Sequence, residues 1–269
     1  MDREKTLLSA SKIQEIEDKM VRHAIVGVGM DIPAGAVIEP HTHRRNQLMF
    51  AHSGVMVVET RDASWVVPPQ RALWIPHEVQ HFFTPMTGLC LRNVLIQPDV
   101  GPPMPGECCL INVTPLLREL ILRVVEAPTL YKSEAHRKRV AALIFDEIEI
   151  CPAAPIALPM PTDQRLRRIC TALKENPADD RTLDDWADTA CASSRTLTRL
   201  FIKETGLSFA HWRRQLRLRS AMVLLGSKQS VTAAALDVGY ESPSAFIEAF
   251  RRSVGQTPGQ YFSPGRLRE

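Results

Sequence analysis

The stretch TLDDWADTACASSRTLTRLFIKETG (182–206) decides the fold of the C-terminal half, because two short helical patterns follow each other there with almost nothing between them. Thr182 followed by Asp185 is typical of a capping box at the start of the first helix. Ser193 or Ser194 can cap the second helix. Apolar residues recur at helical spacing in both segments, which predicts a helix-turn-helix unit.

The second of these helices has an apolar face and an opposite, cationic face. Three basic residues repeat at every fourth position of the cationic face, namely Arg195, Arg199 and Lys203. Because arginine can donate two hydrogen bonds to a guanine edge, Arg195 and Arg199 are candidates for reading bases, with Thr196 beside them. Lys203 is a candidate for contacting phosphate. A helix with a dry side and a cationic side fits insertion into the major groove of DNA.

A second helix, turn and helix pattern follows in SVTAAALDVGYESPSAFIEAFRR (230–252). Ser242 before Pro243 is a strong helix start. The outward side of its second helix carries Ser244, Glu248 and Arg252. Between the two units, SFAHWRRQLRLRSAMVLL (208–225) indicates one helix, and about 17 helical residues span roughly 25 Å, enough to hold two recognition helices near one DNA turn apart. This helix carries four arginines that can contact phosphate or hold the units together: Arg213, Arg214, Arg217 and Arg219.

The charge of the chain is concentrated in the same region. The 269 residues carry a formal net charge of only +3, yet from Asp163 onward there are 17 Lys and Arg against 12 Asp and Glu. Between Arg195 and Lys228 eight basic residues stand against one acid, Glu204. A local cation cluster in a nearly neutral protein indicates a surface that binds a polyanion.

Two strings carry a resemblance to a known family: LTRLFIKETGLSFAHWRRQLRLRSAM (197–222) and AALDVGYESPSAFIEAFRRSVGQTPGQYF (234–262). Residues 163–262 resemble the DNA-binding domain of AraC/XylS-type bacterial transcription regulators. The resemblance implies two non-equivalent helix-turn-helix units joined by a long helix. It places Arg195, Arg199 and Ser244 at base-contacting positions. Glu248 falls where many members have a basic or polar residue, and an acid can accept from cytosine N4 but is repelled by phosphate.

The N-terminal half has a different pattern. From about His23 to Gln97, short β-rich runs alternate with Gly and Pro, which predicts an all-β barrel or sandwich. The segment GAVIEPHTHRRNQLMFAHSG (35–54) is similar to the first cupin motif, and His41 and His43, two residues apart, would face the same side of a strand. PHEVQHFF (76–83) resembles the second cupin motif, with His81 in the histidine position and Glu78 where that motif often has glycine.

Three interpretations of His41, His43 and His81 stay open: a divalent transition-metal site, direct hydrogen bonding of an effector, and a structural role. Three imidazoles and one oxygen ligand suit Zn, Ni, Fe or Mn. Gln47 stands where the cupin motif usually has Glu, and it is a neutral and weaker ligand. The resemblance implies that barrels of this family bind small effectors rather than catalyse, so these histidines with Gln47 form the candidate effector-binding set.

Together these patterns predict an α+β chain of three parts. A cupin-like sensor barrel would span 1–105, a helical connector with dimerisation and linker segments 106–160, and an all-α DNA-binding domain with two helix-turn-helix units 161–269. Two Pro-rich segments mark the boundaries: DVGPPMPG (99–106) and CPAAPIALPMP (151–161). Apolar stripes in 116–127 and 135–150 predict helices that pair with each other or with a second subunit, hence a homodimer.

The favoured hypothesis is a one-component transcriptional regulator in the cytoplasm that responds to a small-molecule or metal effector and binds promoter DNA. RNA polymerase is a further expected partner if the protein is an activator, and we expect no catalytic residues and no membrane contact. The main alternative is a cupin metal-dependent enzyme with an accessory helical domain, against which the missing Glu ligand argues. A third hypothesis, an adaptor that binds protein partners, leaves the arginine pattern unexplained.

Overall fold

The computed structural model describes residues 7–8, 23–61, 63–126, 133–151, 156 and 158–262. The chain divides into two compact units, one made of Met1–Ala153 with Gly259–Glu269 and the other of Ala154–Pro258. Within the described ranges, no helix combines the length and the apolar character that a bilayer span requires.

The first unit is rich in β-structure. Its strands are β1 (Leu7–Leu8), β2 (Ile25–Ile32), β3 (Val37–Ile38), β4 (Asn46–Ser53), β5 (Met56–Thr60), β6 (Ser64–Val67), β7 (Arg71–Ile75), β8 (His81–Pro85), β9 (Leu89–Ile96), β10 (Cys109–Asn112) and β11 (Glu149–Ile150). A six-stranded sheet has the order β11-β10-β7-β4-β9-β2, and a three-stranded sheet has the order β6-β5-β8. The short β1 pairs with β3 in parallel.

Both faces of the six-stranded sheet are covered. Alternate residues such as Met49 and Leu91 point into a core shared with Phe83 of the three-stranded sheet. The residues between them, such as Leu48, pack on the other face against Ile121 and its neighbours in two helices, α1 (Pro115–Glu126) and α2 (Glu134–Asp146). Double coverage explains why β4 is a nearly continuous apolar run instead of an alternating one.

The two connector helices follow the sequence pattern with one difference. The pattern predicts helix through residue 150, but α2 ends at Asp146 and β11 pairs with β10. Acidic residues are unfavourable at the end of a helix because they are repelled by the partial negative charge of its C-terminus. DEIE (146–149) places three of them there. On the other helix, α1 lies so close to β2 that a Cβ on Gly27 would stand 2.5 Å from the Val124 carbonyl oxygen.

The second unit is helical. It contains α3 (Gln164–Glu175), α4 (Leu183–Ala190), α5 (Ser194–Thr205), α6 (Phe209–Gly226), α7 (Val231–Asp237) and α8 (Pro243–Val254), and the short α9 (Pro258–Phe262) follows. Thr182 and Asp185 form the predicted capping box of α4, and Ser193 caps α5. Ser242 caps α8 with Pro243 at its first position. The fold class is therefore confirmed as a β-rich N-terminal domain and a helical C-terminal domain with two helix-turn-helix units.

The end of the described chain belongs to the first unit rather than to the second. Gly259–Glu269 group with the β-rich unit, whereas the sequence pattern places them in the DNA-binding domain. The Tyr261 side chain is fully buried there. Its hydroxyl donates to the Val66 carbonyl oxygen at 3.5 Å, and the Arg71 guanidinium lies 4.7 Å from its ring centroid.

Candidate functional site

Backbone hydrogen bonds hold the two histidine motifs against each other. His41 and His81 exchange backbone N–H to O=C bonds of 3.0 and 2.9 Å, which makes them direct partners across an antiparallel bridge. One step along, the Glu78 amide donates to the His43 carbonyl oxygen at 2.7 Å. Glu78 has a φ of 63°, in the left-handed region that favours glycine, which accounts for the glycine often found there in the cupin motif.

The three histidine rings converge and are buried. Their centroids lie 4.9 Å apart for His41 and His43, 4.5 Å for His41 and His81, and 5.3 Å for His43 and His81. One ring nitrogen from each lies within 4.8 Å of the others. A tetrahedral ion with nitrogen ligands at about 2.0–2.1 Å holds those nitrogens roughly 3.4 Å apart, so small ring rotations would complete such a site.

Two of the rings have their tautomer set by the backbone. Nδ1 of His41 lies 2.8 Å from the Glu39 carbonyl oxygen, and Nδ1 of His81 lies 3.0 Å from that of Val79. Because a carbonyl oxygen only accepts, both Nδ1 atoms carry a proton, and in the neutral form of each ring Nε2 keeps a lone pair. Nε2 of His81 is buried and accepts no hydrogen bond from the part of the chain that the structure describes.

His81 is neutral in the folded protein. Burial, with a contribution from the neighbouring His41, lowers the pKa of His81 from 6.5 to about 3. A neutral imidazole is the form that ligates a metal or accepts a hydrogen bond. At neutral pH this ring therefore offers its lone pair without having to lose a proton first.

Two amide side chains face the same interior. Gln47 lies on β4 in alternation with Met49, and its Oε1 is buried without a hydrogen-bond partner among the described residues. Asn93 on β9 is paired with Met49 and therefore faces the same side, and its Oδ1 is likewise buried and unpartnered within the described ranges. The one sequence signal of Asn93 is that it interrupts the apolar alternation of Leu89 and Leu91, and it was not among the predicted site residues.

The arrangement places imidazole nitrogens and amide oxygens among the apolar side chains of the interior. Such a donor set fits a divalent transition metal, which accepts nitrogen and oxygen ligands together. It equally fits a small molecule that donates hydrogen bonds, because buried acceptors without donors are costly. The structure thus brings His41, His43 and His81 together and places Gln47 on the same inner face.

In the second unit, α5 presents the predicted cationic face to solvent. Arg195, Arg199 and Lys203 are exposed, while Leu197 and Phe201 are buried on the opposite side. Thr196 is half-buried, its hydroxyl oxygen lies 3.0 Å from that of Ser193, and its amide donates to Ser193 Oγ at 3.3 Å. Thr196 therefore takes part in the N-cap interaction of Ser193 at the start of α5.

The outward face of α8 contains an internal ion pair. Ser244, Glu248 and Arg252 are all exposed, and the Glu248 carboxylate accepts a hydrogen bond from Arg252 one helical turn later. The acid that departs from the family pattern is thus paired with a cation of its own helix, which reduces its repulsion of a phosphate.

The arginines of α6 divide between solvent and interior. Arg214 is exposed, whereas Arg213 donates to the Arg181 carbonyl oxygen at 2.8 Å and lies over the Phe209 ring at 5.1 Å. Arg217 is half-buried and donates to several backbone carbonyl oxygens. Position on the helix alone therefore does not identify which of these cations remains available to DNA.

Comparison with known proteins matches both units. Residues 186–263 match a helix-turn-helix domain, and residues 32–130 match an AraC-like ligand binding domain. The HTH-type transcriptional regulator NimR of Escherichia coli (strain K12) is 36% identical over 245 residues, which cover 90% of this chain and 89% of NimR.

Two further relatives are similar over shorter stretches. The HTH-type transcriptional regulator RipA of Corynebacterium glutamicum is 38% identical over 109 residues, 40% of this chain and 33% of RipA. The HTH-type transcriptional activator RhaR of Yersinia pseudotuberculosis is 32% identical over 103 residues, 38% of this chain and 36% of RhaR. With a ligand-binding unit, two helix-turn-helix units and a relative matched over nearly its whole length, this chain belongs to the AraC family of transcriptional regulators.

Proposed function

We propose that this AraC-family regulator senses its effector at His41, His43 and His81 and reads promoter DNA with α5 and α8. The observation that carries the first part is the convergence of three buried rings, with Nε2 of His81 left without a donor in the described protein. The second part is supported by the exposed arginines of α5, which stand opposite the buried Leu197 and Phe201.

The proposed effector is a divalent transition-metal ion, alone or as the anchor of a small molecule. The candidate ligands, the three histidines with Gln47 or Asn93, bring no negative charge, so a bound ion would keep its full positive charge. Fewer than six protein donors also leave coordination positions open to an anionic molecule. Both properties suit a reversible sensor better than a permanent structural site.

Calorimetric titration with Zn²⁺, Ni²⁺, Fe²⁺ and Mn²⁺ tests the metal part. We expect one ion per chain, with binding abolished in His43→Ala and retained in His77→Ala, whose ring is exposed on the neighbouring loop. If no ion binds the wild-type protein, the metal proposal fails and leaves direct hydrogen bonding of an organic effector or a structural role for the cluster. An oxygen-consumption assay on the loaded protein separates sensing from turnover, and we propose that no turnover occurs.

The DNA-reading assignment is tested by Arg195→Ala and Arg199→Ala. Each should lose about 1–3 kcal/mol of specific binding, as expected for a lost bidentate base contact, with less effect on random duplexes. Arg168→Ala is the matched control, because it removes one exposed cation from α3. If both α5 variants keep the wild-type ratio of specific to random-sequence affinity, α5 does not read the bases.

We further propose a cytoplasmic homodimer joined through the connector region 106–160. Leu116 of α1 and Leu143 of α2 are large apolar side chains that are 52% and 49% exposed, respectively, although both helices cover the core with their other faces. Two DNA-binding domains per dimer would raise the affinity for paired sites. RNA polymerase is the proposed further partner at promoters that the protein activates.

A further inference from the structure

In the middle of α6, one guanidinium group joins the loop before the first helix-turn-helix unit to the turn inside the second unit. Nε of Arg217 donates to the Pro177 carbonyl oxygen at 2.9 Å, and Nη2 donates to those of Asp179 at 3.2 Å and Ala178 at 3.4 Å. These acceptors lie in the loop between α3 and α4, which directly precedes the first helix-turn-helix unit. Nη1 donates at 2.8 Å to the carbonyl oxygen of Gly239, which lies in the turn between α7 and α8.

The two backbones also approach each other directly at this point. Gly239 has a φ of +83°, and a Cβ built on it would stand 2.8 Å from Cα of Ala178 and 2.9 Å from Nη2 of Arg217. Only glycine adopts this backbone conformation freely and leaves room for the loop opposite. The turn that aims α8 is therefore seated on the loop that precedes α4, with Arg217 bonded to both.

This junction controls the rotation of the two helix-turn-helix units relative to each other, which the length of α6 does not set. A helix of fixed rise sets the distance between the two units along its axis, but their mutual rotation depends on contacts on either side of it. Two recognition helices enter successive major grooves only when their separation and angle match one turn of DNA, about 34–36 Å. A planar guanidinium with several fixed N–H directions is suited to hold such an angle, and a lysine ammonium is not.

We propose that Arg217, together with Gly239, is a positioning residue that sets the orientation of α8 relative to α5 and thereby the spacing between the two DNA segments that this protein reads. The inference rests on the proposed roles of α5 and α8 as reading helices. It assigns to Arg217 no base contact and no phosphate contact of its own.

The test uses the full-length protein and duplexes selected by it from a random library, in which the two recognised segments are then moved one base pair closer together or further apart. The wild-type protein should discriminate sharply among these spacings. Arg217→Lys and Arg217→Ala should lose at least about tenfold in affinity for the selected spacing. When α5 is bound, α8 is no longer held over its own DNA segment, so its effective concentration at that segment falls. They should lose much less on the altered spacings, so the spacing preference flattens.

Two further variants separate geometry from charge. Gly239→Ala disturbs the same junction without removing a cation and should also flatten the spacing profile, which keeps the proposal testable if Arg217→Ala fails to fold. Arg168→Ala removes an exposed cation of α3 that is not part of the junction and should keep the wild-type profile. Base substitutions in the DNA segment that α5 reads should reduce the affinity of Arg217→Lys as much as they reduce that of the wild type.

The proposal is overturned if folded Arg217→Lys and Gly239→Ala keep the wild-type spacing preference. A uniform loss of affinity in Arg217→Ala, with a salt dependence reduced by about one phosphate contact, would assign this arginine to the DNA backbone instead. Failure of the proposed function has a different signature, since Arg195→Ala and Arg199→Ala would then leave specificity intact whatever the spacing profile shows.

Discussion

Acidification should destabilise the first unit through His81, and the size of the effect follows from its pKa. Burial, reinforced by His41, lowers the pKa of this ring from 6.5 to about 3. Below pH 6.5, His81 therefore binds a proton in the unfolded chain, whereas in the folded chain it binds this proton only near pH 3. Because the unfolded state holds more protons in this window, the free energy of unfolding falls as the pH falls. Between pH 7 and pH 5 the loss from this group is about 2 kcal/mol.

The measurement is urea-induced unfolding at pH 7 and pH 5 in the presence of a chelator, followed by hydrogen exchange in peptides from β4 and β8 so that only the first unit is observed. We expect His81→Gln to lose about 2 kcal/mol less than the wild type over this interval, since it has no proton to take up. His77→Gln, which replaces an exposed histidine, should retain the wild-type dependence. Equal losses in wild type and His81→Gln would refute the reasoning.

Three other predictions concern an ion pair, two exposed leucines and a helix cap. Glu248→Gln frees Arg252 from its ion pair, so affinity for random duplexes should rise and the salt slope should steepen by about one, as fluorescence anisotropy would show; an unchanged slope places the pair away from DNA. If the proposed dimer forms, Leu116→Glu combined with Leu143→Glu should convert it to monomer in sedimentation velocity, and an unaltered sedimentation coefficient would exclude this dimer surface. Thr182→Ala removes the capping box of α4 and should cost about 1 kcal/mol in urea unfolding of the second unit, whereas wild-type stability would mean that the cap contributes nothing.

Features encoded by neighbouring residues were predictable from the sequence. The capping box at Thr182 and the start of α8 at Ser242 depend on side chains within three positions of the helix they begin. The convergence of the histidine motifs was likewise expected from two short patterns. The end of α2 at Asp146 was missed because an apolar stripe continues past it, and the pairing of β11 with β10 has no signal in the neighbouring residues.

Features that depend on distant pairing were not predictable. Asn93 belongs to the inner face only because β9 pairs with β4 in one particular register. Arg217 was one of several arginines on a helix, and its acceptors lie 22 to 40 residues away in the chain. Residue type and helical position suggest a phosphate contact for any of these cations, while the carbonyl oxygens that Arg217 binds are known only from the folded structure.

The burial of Tyr261 in the first unit has a consequence for exchanging parts between regulators. A chimera that swaps everything after the Pro-rich segment 151–161 would transplant more than a DNA-reading module, because it would also replace an aromatic ring that fills the sensor and lies beneath Arg71. The recipient sensor would be left with a cavity, or with a side chain that does not fit, at the position of the Tyr261 ring. That position is remote in sequence from the fusion point. Hybrids of this protein should therefore retain residues 259–262 with the sensor, so that only the second unit, Ala154–Pro258, is exchanged.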